Sequence, residues 1–233
     1  MTGARFSPRW EVGDASGAVV VVDVLRAFTT AAYAFGAGVA KIHLVSSVDE
    51  ALDFKAAHPG VLAMGEDGGC KPSAFDFSNS PVEIAAADVA GRVLVQRTSA
   101  GTQGVFAARA ATRLWCASLV CASATAAAVR SSGLGAPTYV ITGRFADLPE
   151  ISGSDDLATA ELIERARLGQ QLGADRTRQE VATSDEARRT LALGAGHVHP
   201  DDIAYATDVD RFAFAMEATR VEGGPVRLLA TSM

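Results

Sequence analysis

Val19, Val20, Val21 and Val22 run straight into Asp23, and no other feature of the chain constrains its fold as much. An unbroken β-branched run marks a strand covered on both faces, the situation of a central strand in an α/β sheet. The sequence then turns through Val24, Leu25 and Arg26, passes Thr29 and Thr30, and opens into an alanine-rich stretch at residues 31–36. Apolar strand, polar turn and helix in that order place polar groups beyond the carboxyl end of a strand, where open α/β sheets bind ligands. A carboxylate and a guanidinium beside a buried strand are costly unless paired or used.

The same plan recurs along the chain. Apolar runs at residues 41–45, 60–64, 92–96, 113–117, 138–142 and 226–230 read as strands, and residues 102–112, 122–130, 155–168, 185–193 and 201–219 read as helices. Ser47 with Glu50, and Ser80 with Glu83 behind Pro81, are capping boxes that start two more helices. The alternation predicts an α/β protein, a three-layer α/β/α fold with a mostly parallel or mixed sheet. We expect one domain over residues 1–233, with a helical C-terminal part at residues 183–220. Residues 19–48 and 92–120 share one order of elements, which points to an internal duplication aligning Thr29 with Thr102, Ala34 with Ala107 and Ala37 with Ala110.

Composition removes several function classes. A net charge of −6 and a pI of about 5.2 argue against nucleic acid as a partner, because phosphate backbones need a basic face. No apolar run is long enough to span a membrane, which predicts a cytoplasmic protein with no membrane partner. Cys70, Cys116 and Cys121 are too few for a disulfide framework. Phe6, Pro8 and Trp10 give the N-terminal arm an apolar character suited to packing on a neighbour, which allows a homodimer.

Polar clusters follow four of the expected strands. They are Asp23, Arg26, Thr29 and Thr30; Glu66 and Asp67; Arg97, Thr98, Ser99, Gly101 and Thr102; and Ser154, Asp155 and Asp156. In a parallel sheet all four lie on one edge and converge. Asp23, Glu66, Asp155 and Asp156 are hard oxygen ligands suited to Mg2+, while the hydroxyls suit a phosphate. Arg26 and Arg97 are the expected anion clamps, and Asp23, Arg26, Glu66 and Asp156 the expected catalytic set.

The ordered motifs Val22-Asp23-Val24-Leu25-Arg26-Ala27-Phe28-Thr29-Thr30, Gly65-Glu66 and Phe75-Asp76-Phe77-Ser78-Asn79-Ser80-Pro81-Val82-Glu83 resemble the 2-phosphosulfolactate phosphatase family. The resemblance continues through Thr98–Thr102, the turn at Ala117-Ser118, Ser154-Asp155-Asp156 and Asp201-Asp202-Ile203. It implies a magnesium-dependent α/β phosphatase acting on a small anionic phosphoester, on the route to coenzyme M. On the family's motif positions it places Asp23, Arg26, Thr29, Thr30, Glu66, Asp76, Asn79, Ser80, Thr102 and Asp156. Ser118 joins the expected substrate-binding set. The chain departs from the family pattern at residues 97–102, at Ser78 and at Asp155.

Two other readings fit some of these residues. Asp23 with Cys121 resembles the site of isochorismatase-like cysteine hydrolases, although no lysine stands where that chemistry needs one. A non-catalytic phosphoanion-binding relative is the third. A haloacid-dehalogenase site is excluded, since Leu25 stands where its second aspartate belongs.

Overall fold

The structure is a computed structural model that describes residues 3–148, 151–171, 173–221 and 223–232. The valine run forms β2 (Ala18–Val22), buried at every position, and the following turn leads into α1 (Ala27–Gly36), buried at every residue except Gly36. The chain continues through β3 (Lys41–Leu44), α2 (Val48–Ala57), β4 (Leu62–Gly65) and α3 (Pro81–Ala85). Then come β5 (Val93–Arg97), α4 (Gly101–Ala107), β6 (Arg113–Ala117), α5 (Ala122–Ser131) and β7 (Thr138–Ile141). Both capping serines act as expected: Ser47 accepts the Glu50 N–H and Ser80 accepts the Glu83 N–H, so α2 and α3 start where the sequence said.

After β7 come the helices α6 (Ser154–Arg167), α7 (Ala174–Ala182), α8 (Asp185–Ala192) and α9 (Asp202–Ala206). The expected helix over 201–219 does not form. It stops with α9, and β8 (Phe214–Thr219) pairs with β9 (Val226–Ser232) as an antiparallel hairpin. Residues 183–220 therefore hold two helices and a strand. The misreading has a physical cause: Ala215 is buried on one face of the sheet and Met216 on the other. A strand covered on both sides shows no alternation to distinguish it from a helix.

The N-terminal arm forms a strand that no local sequence signal announced. Residues 5–8 are strand β1 (Arg5–Pro8), parallel to β7, and Phe6 stacks on Tyr139 at 5.1 Å, so its apolar partner lies in its own chain. Trp10 is 49% exposed.

The nine-stranded sheet has the order β1-β7-β2-β6-β8-β9-β3-β5-β4. Strands β1, β7, β2 and β6 are mutually parallel, as are β3, β5 and β4. The antiparallel steps at β8 and β9 make the two groups run in opposite senses. The strand ends thus do not share one straight edge, as the sequence predicts. They meet because the sheet curls about α1 and α4: α4 follows β5, yet Gly104 lies against Val21, Val140 and Thr142 of the other group. One apolar core joins α1 to strands of both groups, a second lies beneath α5 and α6, and a third beneath α2.

The duplication shows in this order. With the edge strand β1 set aside, reading the other eight strands from either end exchanges β7 with β4, β2 with β5, β6 with β3 and β8 with β9. No strand of β2, β3 and β4 pairs with another of that set, and the same is true of β5, β6 and β7. The two repeats are interlocked. Their turns match as well: Asp23 accepts the Ala27 N–H at 2.8 Å, and Thr98 accepts the Thr102 N–H at 3.0 Å. That matching pairs Ala27 with Thr102, shifting by two residues the alignment that had set Thr29 against Thr102.

Candidate active site

Because β2 and β7 are neighbours, their carboxyl ends put Asp23 and Thr142 side by side. Asp23 accepts the Ala27 N–H through Oδ1, and its Oδ2 lies 3.2 Å from the Thr142 hydroxyl. Asp156, in the first turn of α6, accepts the Val24 N–H at 2.9 Å and the Gly143 N–H at 2.8 Å, bracing the turns after both strands. The Thr142 hydroxyl faces Val22 O at 3.0 Å and Oδ2 of Asp156 at 3.2 Å as well, so one proton serves three acceptors. Asp155 is 3% exposed, and its Oδ1 has no hydrogen-bond partner.

The other repeat contributes a matching brace. Glu66, just past β4, accepts the Ser99 N–H at 2.5 Å through Oε1. Its Oε2 accepts the Gly69 N–H at 2.7 Å and the Ser99 hydroxyl at 2.9 Å. Glu66 thus holds the turn after β5 as Asp156 holds the turn after β2. Gly101 closes the gap between them: a Cβ there would lie 2.8 Å from Asp23 Oδ2.

So many carboxylates out of water resist ionisation. Burial pushes the Asp23 carboxyl up to about 6 and nearby Glu66 adds to the rise, while the Ala27 N–H, Thr142 and Arg26 partly offset it. Asp155 is pushed up to about 8 by burial, then by Glu186 and Asp23. Burial, followed by Asp155 and Asp23, holds Asp156 well above the ordinary range too. Out of water and close together, these carboxyls are driven toward their neutral forms, and a cation in the cavity would favour the charged ones.

The group faces a cavity of about 370 Å³. Of the residues expected from sequence, Asp23, Arg26, Glu66, Asn79, Ser99, Asp155 and Asp156 line it. Arg26 is fixed by Asp202 Oδ2 at 2.7 Å and His197 O at 2.8 Å, both bonded to Nη1. Asn79 is buried and its side-chain oxygen has no partner.

The remaining expected residues lie behind this wall. Thr29 donates to Val24 O, Thr98 and Thr102 bond one another, and Thr30 and Ser118 are buried with unpartnered hydroxyls. Ser80 donates to Asp202, and Asp76 pairs with Lys55 at 2.6 Å, away from the cavity. Arg97 turns to Asp67 at 2.6 Å and Glu66 O at 2.8 Å, clamping the two turns together without lining the cavity. Thr142, Glu186, Arg189 and an apolar wall of Leu25, Phe145, Leu148, Ile151 and Leu193 were not expected. Thr142 had a signal, a hydroxyl at a strand end before glycine. The apolar wall had none, being built from an irregular segment and a helix end.

A sequence profile described as 2-phosphosulpholactate phosphatase matches residues 8–195. The chain belongs to that family. It is 37% identical over 205 residues to a probable 2-phosphosulfolactate phosphatase of Thermus thermophilus, covering 88% of this chain and 79% of that one. A protein of the same name from Thermoplasma acidophilum is 30% identical over 82% of this chain and 81% of its own length. One from Deinococcus radiodurans is 42% identical over 78% of this chain and 72% of its own. The cysteine-hydrolase reading loses its nucleophile. Cys121 is fully buried, its thiol is pushed up by burial, and its Sγ faces Ser118 O at 3.7 Å, the reverse of an activated thiolate. Among the described residues no helix is long and apolar enough to cross a membrane.

Proposed function

We propose that this 2-phosphosulfolactate phosphatase family member hydrolyses a small 2-phosphorylated acid, the class to which 2-phosphosulfolactate belongs, with the help of Mg2+. The observation that carries the reading is the convergence of Asp23, Asp155 and Asp156 on one cavity, all three buried and resistant to ionisation. Water attacks phosphorus, the P–O bond to the substrate's alcohol oxygen breaks, and that oxygen leaves with a proton as the hydroxy acid.

The donor set fits magnesium. It is all oxygen, and the unpartnered Oδ1 of Asp155 is a buried acceptor in need of a cation. Among the described residues no three metal-binding side chains close on one point. Magnesium is ordinarily held by one or two carboxylates, with waters and substrate phosphate completing the shell. Asp155 and Asp23 would hold it directly, and Asp156 and Glu66, whose oxygens already accept amide N–H groups, through water. Bound there, the ion supplies charge neutralisation for the phosphoryl oxygens and a more acidic water.

The chain's own groups do the positioning. Asp202 and His197 O fix the Arg26 guanidinium in the wall, and among the described residues its other N–H groups bond nothing, leaving an edge for a phosphate or carboxylate. Asn79 and Ser99 add neutral polar groups around the anion.

Phosphate release from 2-phosphosulfolactate, measured after chelation and again after magnesium is restored, tests the reading. We expect activity to vanish and return. Asp23→Asn keeps the shape and loses the charge, and turnover should fall on the order of 100-fold in a folded protein. Chelator-resistant activity would remove magnesium, and near-normal turnover in Asp23→Asn would remove Asp23 from its central role.

A further inference from the structure

One side of α8 belongs to the cavity. Glu186, Arg189, Thr190 and Leu193 all line it, at the i, i+3, i+4, i+7 spacing that places residues on one face of a helix. That face is anchored at both ends. Glu186 accepts the Gly153 N–H at 2.9 Å and the Ser154 hydroxyl at 2.7 Å, which ties it to the turn that opens α6. Leu193 packs on Gly69, where an added Cβ would come within 2.8 Å of its Cδ2, which ties the other end to the turn after β4. The helix thus bridges a turn from each repeat, and Arg189 stands between the two anchors.

The other arginines nearby are already engaged. Arg26 is tied to Asp202 and His197 O, and Arg97 to Asp67 and Glu66 O. Arg9 is drawn off to Thr142 O at 3.3 Å and to the Phe145 ring, 4.5 Å from the centroid. Arg189 is exposed, and among the described residues no carboxylate pairs with it. Glu186, on the preceding turn, is occupied by Gly153 and Ser154, and Arg188 beside it is the one taken by Asp185. A guanidinium fork on an anchored backbone is therefore left open to whatever enters the cavity.

We infer that Arg189 is a specificity-determining residue, the group that pairs with the substrate's sulfonate. The inference rests on the phosphoester reading above and deepens it. In 2-phosphosulfolactate the phosphate and carboxylate are both carried on C2, and the sulfonate on C3 reaches one bond farther from phosphorus than the carboxylate does. With the phosphate at the carboxyl floor and the deep Arg26 beside it, the sulfonate is the anion left for the cation at the rim. Two sulfonate oxygens match the two parallel N–H groups of the fork. The leucine and isoleucine side chains lining the same cavity keep water from competing for the pair, which strengthens it.

The test holds phosphate and carboxylate constant and removes the sulfonate, comparing the phosphate esters of sulfolactate and lactate with magnesium present. In the wild type kcat/KM for the sulfonate ester should exceed that for the lactate ester by about tenfold or more. Arg189→Gln should lower that ratio about tenfold, chiefly by raising KM for the sulfonate ester, because the pair lies away from the breaking bond. Arg189→Lys keeps the charge without the fork and should restore part of the ratio. A wild type without preference for the sulfonate ester, or an unchanged ratio in Arg189→Gln, overturns the inference and leaves the phosphoester reading intact. An equal fall for both esters assigns Arg189 to the phosphate, the carboxylate or the fold, and overturns it too. No phosphate from either ester with the wild type overturns the phosphoester reading and this inference together.

Discussion

Asp155 illustrates what burial does to a single carboxyl. Its pKa is pushed from 3.8 up to about 8, so the folded protein favours the neutral form. The stabilisation this brings is complete at pH below about 4 and is lost as pH rises through about 8. Asn at this position cannot ionise and has no such loss. Thermal melts of the metal-free protein between pH 5 and 8 should therefore show the wild type falling relative to Asp155→Asn, and magnesium should protect the wild type most at the alkaline end. Parallel melting curves would show that Asp155 ionises freely. At this scale the sequence was informative about which carboxylates the fold gathers at the cavity, because Asp23, Glu66 and Asp156 each sit where an apolar strand or a helix begins or ends. It said nothing about direction. Arg26 follows β2 and Arg97 ends β5, its counterpart, yet Asp202 holds one in the cavity wall while Asp67 draws the other outside it.

Among the elements, α4 depends most on having no side chains. It docks through Gly101 and Gly104, where added Cβ atoms would meet Ala27 at 2.7 Å and Val21 at 2.7 Å respectively. Gly101→Ala also presses on Asp23, so it should cost about 1–3 kcal/mol of stability and lower turnover along with it. Urea unfolding and phosphate release on the same preparation check both effects; full activity with full stability would mean the turn relaxes at no cost. Elements with local signals were legible: the capped starts of α2 and α3, the valine strand, and the helix opened by Asp155 and Asp156. Helix α7 was missed because so little of it is buried, Thr177 and Val181 alone. Strands β1 and β8 were missed because their identity comes from pairing with β7, β6 and β9, a tertiary fact with no local pattern to announce it.

For the molecule as a whole, the interlocked repeats decide what can exist alone. Strand β2 bonds only β6 and β7, and β3 only β5 and β9, so the first repeat has no sheet of its own. We expect a chain cut between Gly91 and Arg92, an exposed turn, to give two fragments without cooperative unfolding transitions. Mixed, they should recover circular dichroism and phosphatase activity together. A first fragment that folds unaided would refute the interlock. The duplicated order of elements was visible in sequence; the exchange of strands between copies was not, since it depends on where each helix crosses.

That exchange also sets a schedule for synthesis. Val19 emerges early from the ribosome, but its partner Leu114 is made only after β3, β4 and β5. At about 5–20 residues per second, the most apolar strand of the protein waits on the order of ten seconds for anything to pair with. The nascent chain must pass that interval with its stickiest segment uncovered, and nothing in its first half can shorten the wait.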